Sequence, residues 1–168
     1  MLSYHPALDV HHAAFRMVRL LVVRSDKEYD QAQLRILDFY LLFPALITRM
    51  RLPRHAVRFR RSFARYENRY WFSGAPRMVF TQLAPLQQEA IDLLVAKEIL
   101  DVAAAAAHKL KLAPAGQGSS LVDAARSAND RDAEVVQFLV EVIGGIPTFG
   151  PQGLKARSQL MEFRYDTY

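Results

Sequence analysis

The sequence contains no cysteine in its 168 residues. Disulfides, thiol catalysis and every thiolate zinc site are excluded, although this absence alone does not identify a redox compartment. Long apolar runs are missing as well. The longest candidate, Phe39 to Ile47, carries Pro44 inside it and falls well short of the ~18 residues expected of a spanning helix. His11, His12, Arg16 and Arg19 interrupt the first apolar stretch, so no basic start followed by an apolar segment marks the chain for export. The expectation is a cytoplasmic protein with no membrane span.

Catalytic signatures are equally scarce. No G-x-S-x-G elbow occurs, and the five histidines sit in no context that identifies a general base. The loop from Gly144 to Gly153 lacks the lysine and hydroxyl of a phosphate-cradling loop and holds prolines where backbone N–H groups would be needed. His5, Asp9, His11 and His12 form the one local set of metal-ligand types. On a helix His11 and His12 point about 100° apart, and the Asp9–His12 pair lacks a certain third ligand. The preferred reading is a capping aspartate among surface or core histidines: no catalytic residue, no metal and no cofactor. An enzyme built on His5, Asp9 and His12 is the weakest alternative.

Between residues 49 and 77 acidic side chains are nearly absent. Nine arginines (49, 51, 54, 58, 60, 61, 65, 69 and 77) face a lone Glu67, so the rest of a chain with a net charge of +5 is net acidic. Pro53 suits the first position of a helix running to about residue 70. Ala56, Phe59, Phe63, Tyr66 and Tyr70 follow helical steps on one side, while Arg54, Arg58, Arg61, Arg65 and Arg69 do so about 160° away. Guanidinium forks suit phosphate and carboxylate. The five arginines are therefore candidates to bind a nucleic-acid backbone or an acidic protein partner, against the plainer reading of a solvated face. Tyr66, Tyr70 and Trp71 are assigned to support of the helix rather than to base stacking.

With 51% hydrophobic side chains, the length suits one domain, residues 1–168. Helices are predicted from Asp9 to Val23, from Asp30 to Pro44, from Pro85 to about Leu100, from Ser120 to Ala128 and from Asp132 to Ile143. Leu34 to Phe43 is apolar nearly all round and is the predicted core helix, its aromatic residues serving packing rather than a ligand. Paired acids such as Asp130 and Asp132, or Glu134 and Glu141, read as solvated helix ends and faces. Ala103 to Ala107 favours helix, whereas His108 to Leu112 alternates like a strand. A helix followed by a short strand or hairpin is the layout of a winged helix-turn-helix with its wing near residues 102 to 113. Residues 144–168 are a loop followed by a closing helix or a partner-docking extension.

Three stretches carry a resemblance: His5-Pro6-x-x-Asp9-x-x-His12-x-x-Phe15-Arg16, Leu34-Arg35-Ile36-Leu37-Asp38-Phe39-Tyr40-Leu41-Leu42-Phe43-Pro44, and Leu83-x-Pro85-x-Gln87-x-x-Ala90. The chain resembles the middle-component family of bacterial ABC-three-component systems, relatives of the Lamassu anti-phage operons. The resemblance covers most of residues 4 to 112. It implies a mainly α, α+β winged-helix-like domain with a short β-wing, similar to accessory subunits of SMC complexes. It also implies a non-catalytic subunit that bridges an SMC-like ATPase, an effector of the same operon and DNA in antiviral defence, with ATP hydrolysis left to the partner. A free-standing winged-helix transcriptional regulator is the alternative.

Overall fold

A computed structural model of the chain describes residues 8–66 and 74–166. Helix α1, Val10–Leu21, is capped by Asp9, whose carboxylate accepts the His12 backbone N–H at 3.0 Å, satisfying a donor that the first helical turn leaves open. Its Ala14, Met17, Leu20 and Leu21 are buried, as their spacing predicts, and it packs against α2, α4 and α6, introduced below.

Strand β1, Tyr29–Asp30, leads directly into α2, Gln31–Leu42. Leu34, Ile36, Leu37, Phe39, Tyr40 and Leu41 are all buried, which makes α2 the core helix that its apolar run predicts. It ends at Phe43, because a residue before proline is pushed out of helical conformation. Phe39 contacts Phe43 and Phe80 at centroid distances of 5.2 and 5.7 Å, so these rings pack against one another. Asp30 has the extended backbone of an N-cap, yet its side chain caps nothing. It accepts instead from Lys109 and Thr148.

The arginine-rich segment departs from expectation. Residues Arg54–Phe59 form a 3₁₀ helix, and Arg60–Phe63 add a single α turn, α3, in place of a continuous helix to residue 70. Tyr70, Trp71 and Arg69 lie outside the described residues. No acid stands four residues from any arginine of this stretch to support an α-helix by side-chain pairing. Packing decides the geometry: Ala56 and Phe59, three apart, fall on one line in a 3₁₀ helix, and Phe59 and Phe63 both meet Phe138, at 5.5 and 4.6 Å between centroids.

Helix α4, Pro76–Ala96, starts nine residues before the predicted Pro85. Pro76 holds the first helical position, whereas Pro85 sits exposed inside the helix, where water can satisfy the backbone group it frees. Val79, Phe80, Leu83, Gln87, Ala90, Ile91 and Leu94 form its buried side. A short helix α5, Val102–Ala106, capped by Asp101, precedes β2, Lys109–Leu110. Antiparallel pairing joins β2 to β1, Tyr29 opposite Leu110, and a further bridge joins Leu100 to Leu112.

Ser119, one residue earlier than predicted, caps α6, Ser120–Arg131. The next helix divides into α7, Ala133–Gln137, and a π-helical stretch, Phe138–Ile143. Gly144 stops it, but with ordinary right-handed backbone: a Cβ here would meet the Val140 carbonyl at 2.5 Å. The side chains of Lys27 and Gln33 donate to the Gly144 carbonyl, so α2 and the turn before it close this helix end. The last helix, α8, Leu154–Ser158, is one turn long; Leu154, Ala156 and Leu160 are buried, and α8 packs on α2. The result is a mostly helical protein with one small two-stranded sheet, in which no helix is long and apolar enough to cross a membrane among the described residues.

Candidate functional site: an arginine surface and a buried polar network

Arg54, Arg58, Arg61 and Arg65 are all exposed, while Ala56 and Phe63 are buried and Phe59 and Tyr66 are partly covered by the core. The division into a packed side and a cationic side thus survives the change from α to 3₁₀ geometry. The arginines differ in what they meet. Arg65 pairs with Glu134, its guanidinium lying over the Tyr66 ring. Hydrogen bonding to Tyr66 and the nearby Glu134 charge raise its pKa further. Arg54, Arg58 and Arg61, together with exposed Arg49, have no carboxylate within 4 Å among the described residues. Arg58 rests over the ring of Phe59, 4.7 Å from its centroid, which holds the side chain without neutralising it.

Other arginines of the stretch have structural duties. Arg51 donates to the Ala156 carbonyl at 3.1 Å, and Arg157 returns a bond to the Arg51 carbonyl at 2.8 Å, tying the C-terminal segment to this region. Arg60 donates to the Met50 carbonyl. Arg77 approaches Glu162 at 3.6 Å. Of the eight described arginines of this stretch, Arg49, Arg54, Arg58 and Arg61 are therefore left without an ion pair or side-chain hydrogen bond among the described residues, and the long-range contacts of Arg65, Arg51 and Arg77 with residues 134, 156 and 162 cannot be read from local spacing.

A second polar feature lies inside the protein. Arg16 donates through Nε to Asp38 Oδ1 at 2.7 Å and through Nη2 to Oδ2 at 3.2 Å. Gln87 Nε2 reaches Asp38 Oδ2 at 2.8 Å and the Arg35 carbonyl at 3.0 Å, while Gln87 Oε1 accepts from Arg35 Nε at 2.9 Å. Asp38 is fully buried and Arg16 and Gln87 nearly so. The network ties α1, α2 and α4 together. Its four residues come one or two apiece from the three sequence stretches quoted above, so those stretches are linked by a structural role.

The remaining candidates fall elsewhere. His5 lies outside the described residues, His11 and His12 are exposed, and Asp9 caps α1; among the described residues no cluster of three His, Asp or Glu side chains could hold a metal ion. Asp132 pairs with Arg19 at 2.8 Å and Glu141 with Arg24 at 3.4 Å. With Glu134 on Arg65, these acids are therefore bound to basic partners rather than simply solvated.

No curated protein and no solved structure matches the chain. The model of the ABC-three component (ABC-3C) system Middle Component 5 family matches residues 2–166. That match spans nearly the whole chain, including all three stretches that converge on Asp38, and the chain belongs to the Middle Component 5 family of ABC-three component systems.

Proposed function

We propose that this middle component is a non-catalytic accessory subunit of an anti-phage complex, docking on an SMC-like ATPase and linking it to DNA and to an effector. The observation that carries the reading is the run Arg49, Arg54, Arg58 and Arg61, four exposed arginines close together in sequence with no carboxylate within 4 Å of any of them among the described residues. Clustered guanidinium groups repel one another unless an anionic surface meets them, and a DNA backbone supplies one. Arg65, and Arg69 beyond the described residues, extend the same stripe in sequence.

The order of elements supports a winged-helix-like architecture. Helix α1, strand β1, helices α2 and α4, the Leu100 bridge and then β2 follow one another, with β1 on β2 and Leu100 on Leu112. The short helix α5 occupies the place of a wing tip. The exposed side of α4 argues against the free-standing regulator. In a helix-turn-helix reader the last of these helices enters the major groove, yet α4 exposes Glu89 and Asp92, with Arg77 its one cationic residue. Its charge opposes close approach to phosphates, whereas the arginine surface, inserted between α2 and α4, invites it.

Co-expression of this chain with the other two components of its system tests the reading. The expected result is a stable complex on size exclusion whose DNA affinity exceeds that of the isolated chain. A chain that elutes alone and binds a defined duplex tightly as a dimer would establish the regulator instead.

A further inference from the structure

A separate surface lies where α5, the two-stranded sheet and the first turn of α2 meet. Two cavities adjoin there. The first, about 490 Å³, is walled by Asp30, Gln31, Arg35, His108, Lys109 and Phe149. The second, about 420 Å³, includes Ile91, Val95, Val102 and Ala105. They share Gln31 and His108 in their walls: Gln31 donates to Gln88 at 2.7 Å, and its Oε1 lies 3.4 Å from His108 Nδ1, forming a polar ridge between them.

Arg35 is the unusual member. Its Nε is fixed on Gln87 Oε1, and its guanidinium carbon lies 5.2 Å from the centroid of the Phe80 ring. The acid closest to it in the chain, Asp38, is already engaged by Arg16 and Gln87. Among the described residues, no carboxylate comes within 4 Å of Arg35, and its other guanidinium N–H groups have no hydrogen-bond partner. Burial pushes its pKa down, and the Asp38 charge offsets that only in part. A partly desolvated guanidinium in one fixed orientation is disposed for bidentate binding, because little side-chain freedom is left to lose when a carboxylate arrives.

The remaining walls define what accompanies that carboxylate. Asp30 does not oppose an incoming acid, since Lys109 and Thr148 already satisfy it. Phe149 is 42% exposed at the first cavity and Val102 is 61% exposed at the second. In the second cavity the charged residue is an acid, Asp92, which accepts from Gln88. A ligand is therefore oriented: acid toward Arg35, apolar side chains toward Phe149 on one side and Val95, Val102 and Ala105 on the other.

We propose that these adjoining cavities dock a segment of a partner component that places a carboxylate on Arg35 and flanking apolar side chains against Phe149 and the Val95–Val102–Ala105 wall. The proposal rests on the subunit reading in requiring a partner component, and it is independent of the arginine surface. The test uses the complex of the full chain with both other components, with Phe149 or Val102 replaced by the photoreactive p-benzoylphenylalanine. Both positions should cross-link to one segment of one component, and that segment should contain Asp or Glu between apolar residues. Arg35→Lys should reduce the cross-link yield at least fivefold. Phe149→Asp and Val102→Glu, at exposed positions that leave the core intact, should each weaken assembly at least tenfold.

Cross-links to DNA or to a second copy of this chain would overturn the proposal. So would an assembled complex that none of these substitutions weakens, with no cross-link from either position. Failure of the unmodified chain to assemble would overturn the subunit reading first, and this proposal with it.

Discussion

Arg16 and Arg58 are two arginines on helical segments of one small protein, with opposite surroundings. Arg16 is buried and gives two hydrogen bonds to a fully buried carboxylate. Arg58 is exposed, and what it touches is the ring of its own neighbour, Phe59. A buried ion pair is weak evidence for net stabilisation over an apolar pair, because desolvation offsets most of the attraction. Removing one partner is a different matter, since it strands a charge in the core. The inner network therefore fixes how α1, α2 and α4 sit together, while the outer arginines contribute little to folding and are free to be answered by another molecule.

The largest expected effect breaks the inner half of this comparison. Asp38→Ala should cost about 3–5 kcal/mol, read as a fall in the urea midpoint, whereas Arg58→Ala should leave the midpoint where it was. A midpoint that shifts equally for both would erase the distinction. The double substitution Arg16→Met with Asp38→Leu should recover most of that loss, because neither member of the buried ion pair is left in the core without the other; Gln87 would keep its bond to the Arg35 carbonyl. If the double variant is as unstable as Asp38→Ala, the network contributes through something other than charge satisfaction.

A smaller effect sharpens the outer half. Glu134→Gln removes the carboxylate that pairs with Arg65, so it should raise DNA affinity modestly and leave the melting midpoint unchanged, as expected of an exposed pair. The smallest concerns pH. Burial raises the Asp30 pKa, but the bonds from Lys109 and Thr148 outweigh it and hold the carboxyl below its usual value. The associated stability is present above the ordinary Asp value of about 3.9 and is lost as pH falls through the depressed folded value. In acid titration followed by circular dichroism, Asp30→Asn should therefore be the less pH-sensitive protein between about pH 4 and pH 2.

Much of the fold is legible in the sequence where local rules and tertiary packing agree. The Asp9 cap, the all-round apolar α2, the alanine-rich α5 and the strand after it follow from propensity and periodicity. Reading fails where packing overrides them. Pro85 looks like a start because prolines favour first turns, yet its solvent-facing position lets α4 run through it. The arginine stripe looks α-helical because steps of three and four suit both rings and cations, and packing on Phe138, far along the chain, selects a tighter helix. Asp38 reads as an interruption of an apolar run, although it is the centre that joins the three stretches of the family resemblance. Arg35 gives no local sign of being uncompensated, since its isolation depends on Arg16 and Gln87 engaging the nearest acid.

The subunit reading depends above all on Arg54, Arg58 and Arg61 facing an anionic partner surface, with DNA backbone as its first candidate. The direct measurement is the salt dependence of duplex binding by the assembled complex, for the unmodified chain and for the variant with all three arginines changed to Gln. The variant should bind every sequence tested more weakly, and its log–log slope should be shallower by about 0.9 for each phosphate it no longer neutralises. An unchanged slope with unchanged affinity would contradict the assignment of these arginines to DNA.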